Sequence, residues 1–255
     1  MAEKFLSEVL GTMILILLGD GVVAGVLLAK TKANMTTGVG GSNGWIVITF
    51  AWAFAVFSGI AVAGQFSGAH INPAVSLAVF LDSAVNGGKF GVDSLLVYWA
   101  GQFVGAMIGA FLVFLHYYPH WVETEDKGLK LAVFCTAPAI RNPLWNLVSE
   151  IVGTFALVFI GFSLAGGAPA IGGALAWAFL VLVIGLSLGP TTGYAINPAR
   201  DLGPRIMHAI LPIPGKGGSD WEYAWIPVVG PLVGGALGWV AFNYLITNYV
   251  AKILG

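Results

Sequence analysis

Two short segments carry the residues best suited to chemistry. Ile71-Asn72-Pro73-Ala74 recurs as Ile196-Asn197-Pro198-Ala199, offset by 125 positions. Asn is a strong helix N-cap, and Pro is favoured at the first helical position, where its missing N–H costs nothing. Each copy therefore reads as the start of a helix whose positive dipole end lies at the Asn. The two side-chain amides can also donate to an oxygen atom. Arg200 and Asp201 follow the second copy, and Glu8, Asp20 and Glu150 lie inside apolar runs. An ionised residue in a membrane segment costs about 2.5–3.5 kcal/mol even on lenient scales, so it usually faces a cavity. Such a set can orient a polar solute but has no means of transforming one. No nucleophile–base pair, metal cluster or phosphate loop accompanies it. The single Cys135 excludes an intramolecular disulfide and any Cys-based metal site. The expectation is no enzyme, no cofactor and no metal.

The elements that must position these residues follow from composition. Of 255 residues, 58% are hydrophobic and 9% charged, and the mean hydropathy is +0.88. A soluble domain carries about 25% charged residues. An ordinary soluble enzyme, a nucleic-acid binder with a basic face and a disordered chain are all excluded. The chain is expected in the lipid bilayer. Six apolar runs reach the roughly 20 residues that cross a bilayer as a helix: residues 5–28, 45–63, 95–115, 144–164, 171–188 and 224–247. The first is no cleavable signal, because Glu8 sits within it and it is too long. None alternates as an outer-membrane barrel strand does. Two further segments, 73–81 and 198–210, are too short to span and read as re-entrant. The connectors are 30–44, 82–94, 117–143, 165–170 and 211–223, with no space for a second domain.

The two halves repeat one another. Ser7-Glu8-Val9-Leu10-Gly11-Thr12 returns as Ser149-Glu150-Ile151-Val152-Gly153-Thr154, offset by 142. Ala51-Trp52-Ala53-Phe54 returns as Ala176-Trp177-Ala178-Phe179, offset by 125. Gly101, Gly105 and Gly109 match Gly230, Gly234 and Gly238, offset by 129. With three spans per half, an odd number, the second half enters from the opposite face. Paired short segments in inverted halves point to a functional site near the midplane. The first short segment is about 14 Å long as a helix, half of a roughly 30 Å hydrocarbon core. Two such half-helices would meet there by their N-termini. The non-helical stretches before them, 67–71 and 192–196, would carry free carbonyls, which is tolerated only if they are buried or line water. That geometry describes a pore. The expected fold is an all-α membrane protein of six transmembrane helices and two re-entrant half-helices in an inverted 3+3 repeat. It forms a single channel domain over 1–255: repeat one about 1–116, a linker about 117–143, repeat two about 144–255.

The segments Gly68-Ala69-His70-Ile71-Asn72-Pro73-Ala74-Val75 and Gly193-Tyr194-Ala195-Ile196-Asn197-Pro198-Ala199-Arg200-Asp201 resemble the twin signatures of the major intrinsic proteins, the aquaporin family. The closer resemblance is to the aquaglyceroporins, the bacterial glycerol facilitators. It covers nearly the whole chain. The resemblance implies a homotetramer with one pore per subunit, passively conducting small neutral solutes. In aquaporin-type pores an Arg and the half-helix dipoles exclude protons and cations. The partners implied are such solutes, water and the lipid bilayer, with no nucleic acid.

Differences between the repeats locate selectivity in the second loop. Val75 becomes Arg200, Ala69 becomes Tyr194 and His70 becomes Ala195. By family position Arg200 donates to solute hydroxyls and repels cations, and Trp52, Gly185 and Tyr194 complete the constriction. Strict water channels usually hold His where Gly185 stands; glycine leaves room for a carbon chain. The familiar glycerol facilitators carry Phe at the place of Tyr194, so its hydroxyl is expected to make the constriction more polar. Trp177 shares the repeat position of Trp52, and at least one of the two is expected to face lipid or core. The resemblance further implies an acceptor ladder of backbone carbonyls at Gly68, Ala69, His70, Gly193, Tyr194 and Ala195. It implies that Glu8 and Glu150 pin the loop N–H groups, while Asp201 folds the start of its helix. A metal or proton-relay reading of the two glutamates is the alternative. Asp20 has no repeat partner, its counterpart being Phe162; only a helix-kinking or loop-tethering role suggests itself. His116 and His120 read as interfacial.

The expected function is a passive channel for glycerol and similar polyols, water, and candidates such as dihydroxyacetone, urea, hydrogen peroxide and undissociated lactic acid. A water-selective pore is the alternative within the class. An ion-coupled transporter shares inverted repeats and broken helices, but only Glu8, Glu150 and Asp20 could serve its coupling. A non-conducting scaffold leaves Arg200 unexplained. The family places both termini in the cytoplasm of a plasma-membrane protein. Lys4, Lys89 and Lys252 then lie inside and the other eight basic residues outside, against the positive-inside tendency.

Overall fold

The computed structural model describes residues 1–37, 42–166 and 173–250. The elements are α1 (Ala2–Leu27), α2 (Lys32–Thr37), α3 (Ser42–Ser67), α4 (Pro73–Asn86), α5 (Val92–His116), α6 (Tyr118–Glu123), α7 (Lys127–Phe134), α8 (Pro143–Gly166), α9 (Ala174–Ser187), α10 (Pro198–Ile210) and α11 (Ile226–Ala241). A 3₁₀ turn, Gly189–Thr191, follows α9, and α11 continues as a π-helical segment, Phe242–Val250. No strand occurs among the described residues. α1, α3, α5, α8 and α11 with its π-helical extension are long and apolar enough to cross a membrane. The expected span 171–188 appears as α9; residues 171 and 172, and most of the connector 165–170, lie outside the described residues.

Close helix packing explains the glycine triplets. α1 packs on α3 and α5, α8 on α11, and α3 against α9. At Gly101 and Gly109 an added Cβ would come within 2.7 and 2.6 Å of the carbonyl oxygens of Phe5 and Met13 on α1. At Gly230 and Gly238 it would come within 2.6 Å of the Glu150 Cβ and 2.7 Å of the Phe155 carbonyl on α8. Gly105 and Gly234 sit closer still, against the Val9 and Ile151 carbonyls. Small residues permit this approach where lipid offers no hydrophobic drive for helix association. Large apolar side chains such as Phe50, Phe54, Phe111, Phe179 and Leu237 cover the outside of the bundle, as a hydrocarbon solvent requires.

The two half-helices form as their caps dictate. Asn72 Oδ1 accepts from Ala74 N at 2.9 Å. Asn197 Oδ1 accepts from Ala199 N at 3.1 Å and Arg200 N at 3.2 Å. α10 has the expected bounds, but α4 runs five residues past position 81, to Asn86. The extension is polar yet supported. Asp82 accepts from Trp239 Nε1 at 3.1 Å and Asn86 Nδ2 at 2.8 Å, and the chain stops at Gly87 with φ +79°. Left-handed backbone of that kind is the common glycine C-cap. The connector 117–143 contains α6 and α7, and α7 starts at Asp126, whose carboxylate accepts from Gly128 N and Leu129 N.

Candidate pore and constriction

The N-termini of α4 and α10 meet inside the bundle. Asn72 Nδ2 donates to the Ile196 carbonyl and Asn197 Nδ2 to the Ile71 carbonyl, both at 2.8 Å. Each amide has a second hydrogen left for another acceptor. Pro73, Ala74, Pro198 and Ala199 are buried beneath these caps.

The loops before the caps follow the same unusual path. Gly68, Ala69 and Ile71 have φ of +83°, +50° and +44°, and Gly193, Tyr194 and Ile196 have +83°, +37° and +40°. Positive φ is uncommon for a non-glycine residue and an outlier for a β-branched one, so four side-chain-bearing residues are held in strained backbone. What holds them is a carboxylate behind each loop. Glu8 accepts from His70 N at 3.0 Å and Ile71 N at 2.8 Å, with Ser67 Oγ and Gln102 Nε2 donating at 2.6 and 2.7 Å. Glu150 accepts from Ala195 N at 3.0 Å, Ile196 N at 2.9 Å and Thr192 Oγ1 at 2.7 Å. Both carboxylates are almost wholly buried, and these charge-assisted bonds compensate for the loss of water. The carbonyls of Gly68, Ala69, His70, Gly193, Tyr194 and Ala195 receive no hydrogen bond from the described residues. His70 Nδ1 lies 3.1 Å from Ser76 Oγ, and the ring packs on Tyr98 and Phe90.

A cavity of about 480 Å³ occupies the half of the bundle before the first Asn-Pro-Ala loop. Asn72, Asn197, His70 and Trp177 are among its lining residues. Trp177 and Trp52 are equivalent: each ring lies against a glycine of the first helix of its own half, Gly161 and Gly19, leaving no room there for a Cβ. Trp177 lines the cavity, while Trp52 packs within the apolar core of the bundle. Trp52 is 4% exposed, and the Arg200 guanidinium carbon lies 4.1 Å above its ring.

Arg200, Trp52, Tyr194 and Gly185 come together in the other half. Arg200 Nη1 lies 3.4 Å from Asp20 Oδ1, and its remaining guanidinium donors have no hydrogen bond within the described residues. The Tyr194 ring packs edge-on against Trp45, centroids 5.7 Å apart, and over Gly185 and Gly189. A Cβ at Gly185 would come within 2.9 Å of the Tyr194 ring and 3.0 Å of Thr49 Cγ2. Gly185 thus makes room for the aromatic ring. The Tyr194 hydroxyl is buried without a hydrogen-bond partner. Trp45, which closes this corner by donating from Nε1 to the Gly185 carbonyl at 3.1 Å, carried no signal in the sequence.

Asp201 binds the connector 117–143 to α10. Its Oδ2 accepts from Thr136 N and Oγ1 at 2.7 and 2.6 Å, and Oδ1 accepts from Arg205 Nε at 2.9 Å. At the far end of α10, Lys216 Nζ donates to the carbonyls of His208, Ala209 and Leu211 at 2.6, 2.6 and 2.7 Å. A cation there complements the negative end of the helix dipole, and partial burial lowers its pKa from the ordinary lysine value. His120 Nδ1 lies 2.9 Å from the Ala29 carbonyl, and His116 packs edge-on against Tyr117.

Comparison with known proteins agrees with this architecture. The chain is 52% identical over 251 residues to glycerol uptake facilitator protein 3 of Lactiplantibacillus plantarum, covering 96% of this chain and 98% of the relative. It is 53% identical over 244 residues to the glycerol uptake facilitator protein of Streptococcus pneumoniae R6, covering 95% and 99%. Among solved structures, the aquaglyceroporin of Plasmodium falciparum superposes with a TM-score of 0.81 at 27% identity, over 99% of both chains. Residues 1–242 match the family described as Major intrinsic protein, and the chain belongs to that family.

Proposed function

We propose that the protein is a passive channel for glycerol and similar small neutral solutes, with water among them, and not an enzyme. The observation that carries the reading is the meeting of two opposed half-helix N-termini at Asn72 and Asn197, with unpaired loop carbonyls on either side. Two positive dipole ends at one point repel a proton or cation, while a neutral hydroxyl can accept from the amides and donate to the carbonyls. Relatives named as glycerol uptake facilitators support the choice of glycerol. Arg200 and Trp52 form the constriction proper, one presenting donors and the other an apolar wall, with Gly185 and Tyr194 shaping the wall behind them. Glu8, Glu150 and Asp201 hold the loops and have no transport role of their own.

The channel works as a homotetramer in the plasma membrane, both termini in the cytoplasm, which sets Trp177 on the inner side and Arg200 on the outer side. Stopped-flow light scattering on proteoliposomes, with glycerol, dihydroxyacetone, urea and an impermeant sugar as osmolytes, tests the reading. Glycerol flux linear in concentration with no proton movement is expected. Saturable accumulation driven by a pH gradient would overturn it. Protease cleavage within 117–143 from outside only is the expected orientation result, and cleavage from inside only reverses it.

A further inference from the structure

The quasi-symmetry of the two halves singles out one residue that the channel reading leaves without a purpose. The offsets of the repeats carry Gly19 to Gly161, Asp20 to Phe162, Trp52 to Trp177 and Arg200 back to Val75. In the inner half, Gly161, Phe162, Trp177 and Val75 all line the same cavity. In the outer half, Asp20 and Arg200 are in contact and Arg200 lies on Trp52. An apolar pair, Phe162 and Val75, has thus been exchanged for an acid–base pair at one mouth only.

Asp20 lies within α1 and is fully buried. Among the described residues it is the carboxylate within ion-pair distance of Arg200, because Asp201, next in the chain, is turned to Thr136 and Arg205. One oxygen faces Arg200 and the other has no hydrogen-bond partner. A buried carboxylate with so little compensation is costly to keep, and no hydrogen bond ties it to a loop. Among the described residues its partner is the guanidinium.

We propose that Asp20 is a positioning residue of the constriction: its carboxylate holds the Arg200 guanidinium against Trp52 and neutralises it, so that the narrowest point is an ion pair and not a free cation. The proposal rests on the reading of Arg200 as part of the constriction. Nη1 is committed to Asp20, and the rest of the fork is left in one orientation for solute oxygens. An unpaired guanidinium here would bind small anions as a plug; the paired one binds neutral hydroxyls weakly enough to release them.

The test uses Asp20→Asn, Arg200→Val and the double variant in proteoliposomes, with flux normalised to reconstituted protein. Asp20→Asn is expected to lower glycerol permeability about threefold or more, the size of a coupling between touching residues, and water permeability less. Thiocyanate is expected to inhibit glycerol flux through Asp20→Asn and not through wild type or Arg200→Val, a readout that a purely structural aspartate would not move. In the Arg200→Val background, Asp20→Asn should change nothing further. Equal effects in both backgrounds, or no anion sensitivity, would overturn the proposal while leaving the constriction reading intact. An Arg200→Val variant with unchanged glycerol-to-water ratio would instead overturn the constriction reading. Should Asp20→Asn fail to assemble, Asp20→Phe with Arg200→Val, the pair found in the inner half, is expected to assemble and to behave as Arg200→Val alone. Failure of that pair to assemble counts against the proposal.

Discussion

Asn72 and Asn197 are locked to each other's loops: each caps its own half-helix with its oxygen and donates from its nitrogen to the carbonyl of the residue just before the other. One side chain thus does two structural tasks and retains a hydrogen for a passing solute. Removing it should be felt in both stability and selectivity, and a suitable pair of variants separates the two.

Asn197→Ala loses the cap on Ala199 and Arg200 as well as the bond to Ile71, at about 1 kcal/mol for the cap and about 1 kcal/mol for the bond. Lower thermal stability in detergent and reduced flux are expected. Asn197→Asp keeps the capping oxygen but adds a negative charge at the centre of the pore. It retains the cap and loses the donation to the Ile71 carbonyl, and sodium leak into liposomes should appear. A sodium-tight Asn197→Asp would show that the amide hydrogen, and not the local charge, is what matters there.

Glu150→Leu leaves the N–H groups of Ala195 and Ile196 and the Thr192 hydroxyl without their acceptor. Each buried orphan costs about 1–3 kcal/mol, so this variant should assemble poorly, whereas Glu150→Gln retains one amide acceptor and should lie between it and wild type. Comparison of the yield of assembled protein by size-exclusion chromatography checks the order. Equal yields for all three would remove Glu150 from the support of the strained loop.

Tyr194→Phe removes a buried hydroxyl that bonds to nothing. Stability should be unchanged or higher by up to about 1 kcal/mol, and the glycerol-to-water permeability ratio should stay within about twofold, since the ring is retained. A several-fold rise in the ratio would mean that the hydroxyl reaches the solute.

Gly185→His meets the Tyr194 ring and Thr49 before it meets any solute. Overpacking of this kind costs about 1–3 kcal/mol, and the displaced aromatic ring must move toward the conduit. Glycerol flux should fall more than water flux, and a second change, Tyr194→Ala, should restore part of it. An absence of any rescue by Tyr194→Ala would point to the imidazole itself as the obstruction.

Much of this was legible in the sequence because internal repetition turns one chain into two readings of the same element. The half-helices followed from Asn-Pro-Ala and the glycine seams from their spacing. The continuation of α4 to Asn86 was hidden because its support, Trp239 on Asp82, comes from the other half. The position of Tyr194 was hidden because side-chain direction in left-handed backbone is not a matter of periodicity. The Asp20–Arg200 contact spans 180 positions, and in the sequence the two residues read separately, Arg200 as a constriction residue and Asp20 as helix-kinking or loop-tethering. Yet both residues break the repeat, as Phe162 and Val75 show. Two departures from symmetry in one chain, of opposite charge, are themselves a signal of contact.

The crossed asparagines also bear on how solute can move. A carrier works by a stroke: its halves part on one side and close on the other in every cycle. Here the two halves are stitched by two reciprocal hydrogen bonds where their half-helices meet, and each loop is fastened again from behind. Rocking one half would break both stitches and release strained backbone at Ile71 and Ile196 together. A passive channel needs no such stroke, so the expected throughput is that of diffusion, with a temperature dependence as shallow as that of motion in water.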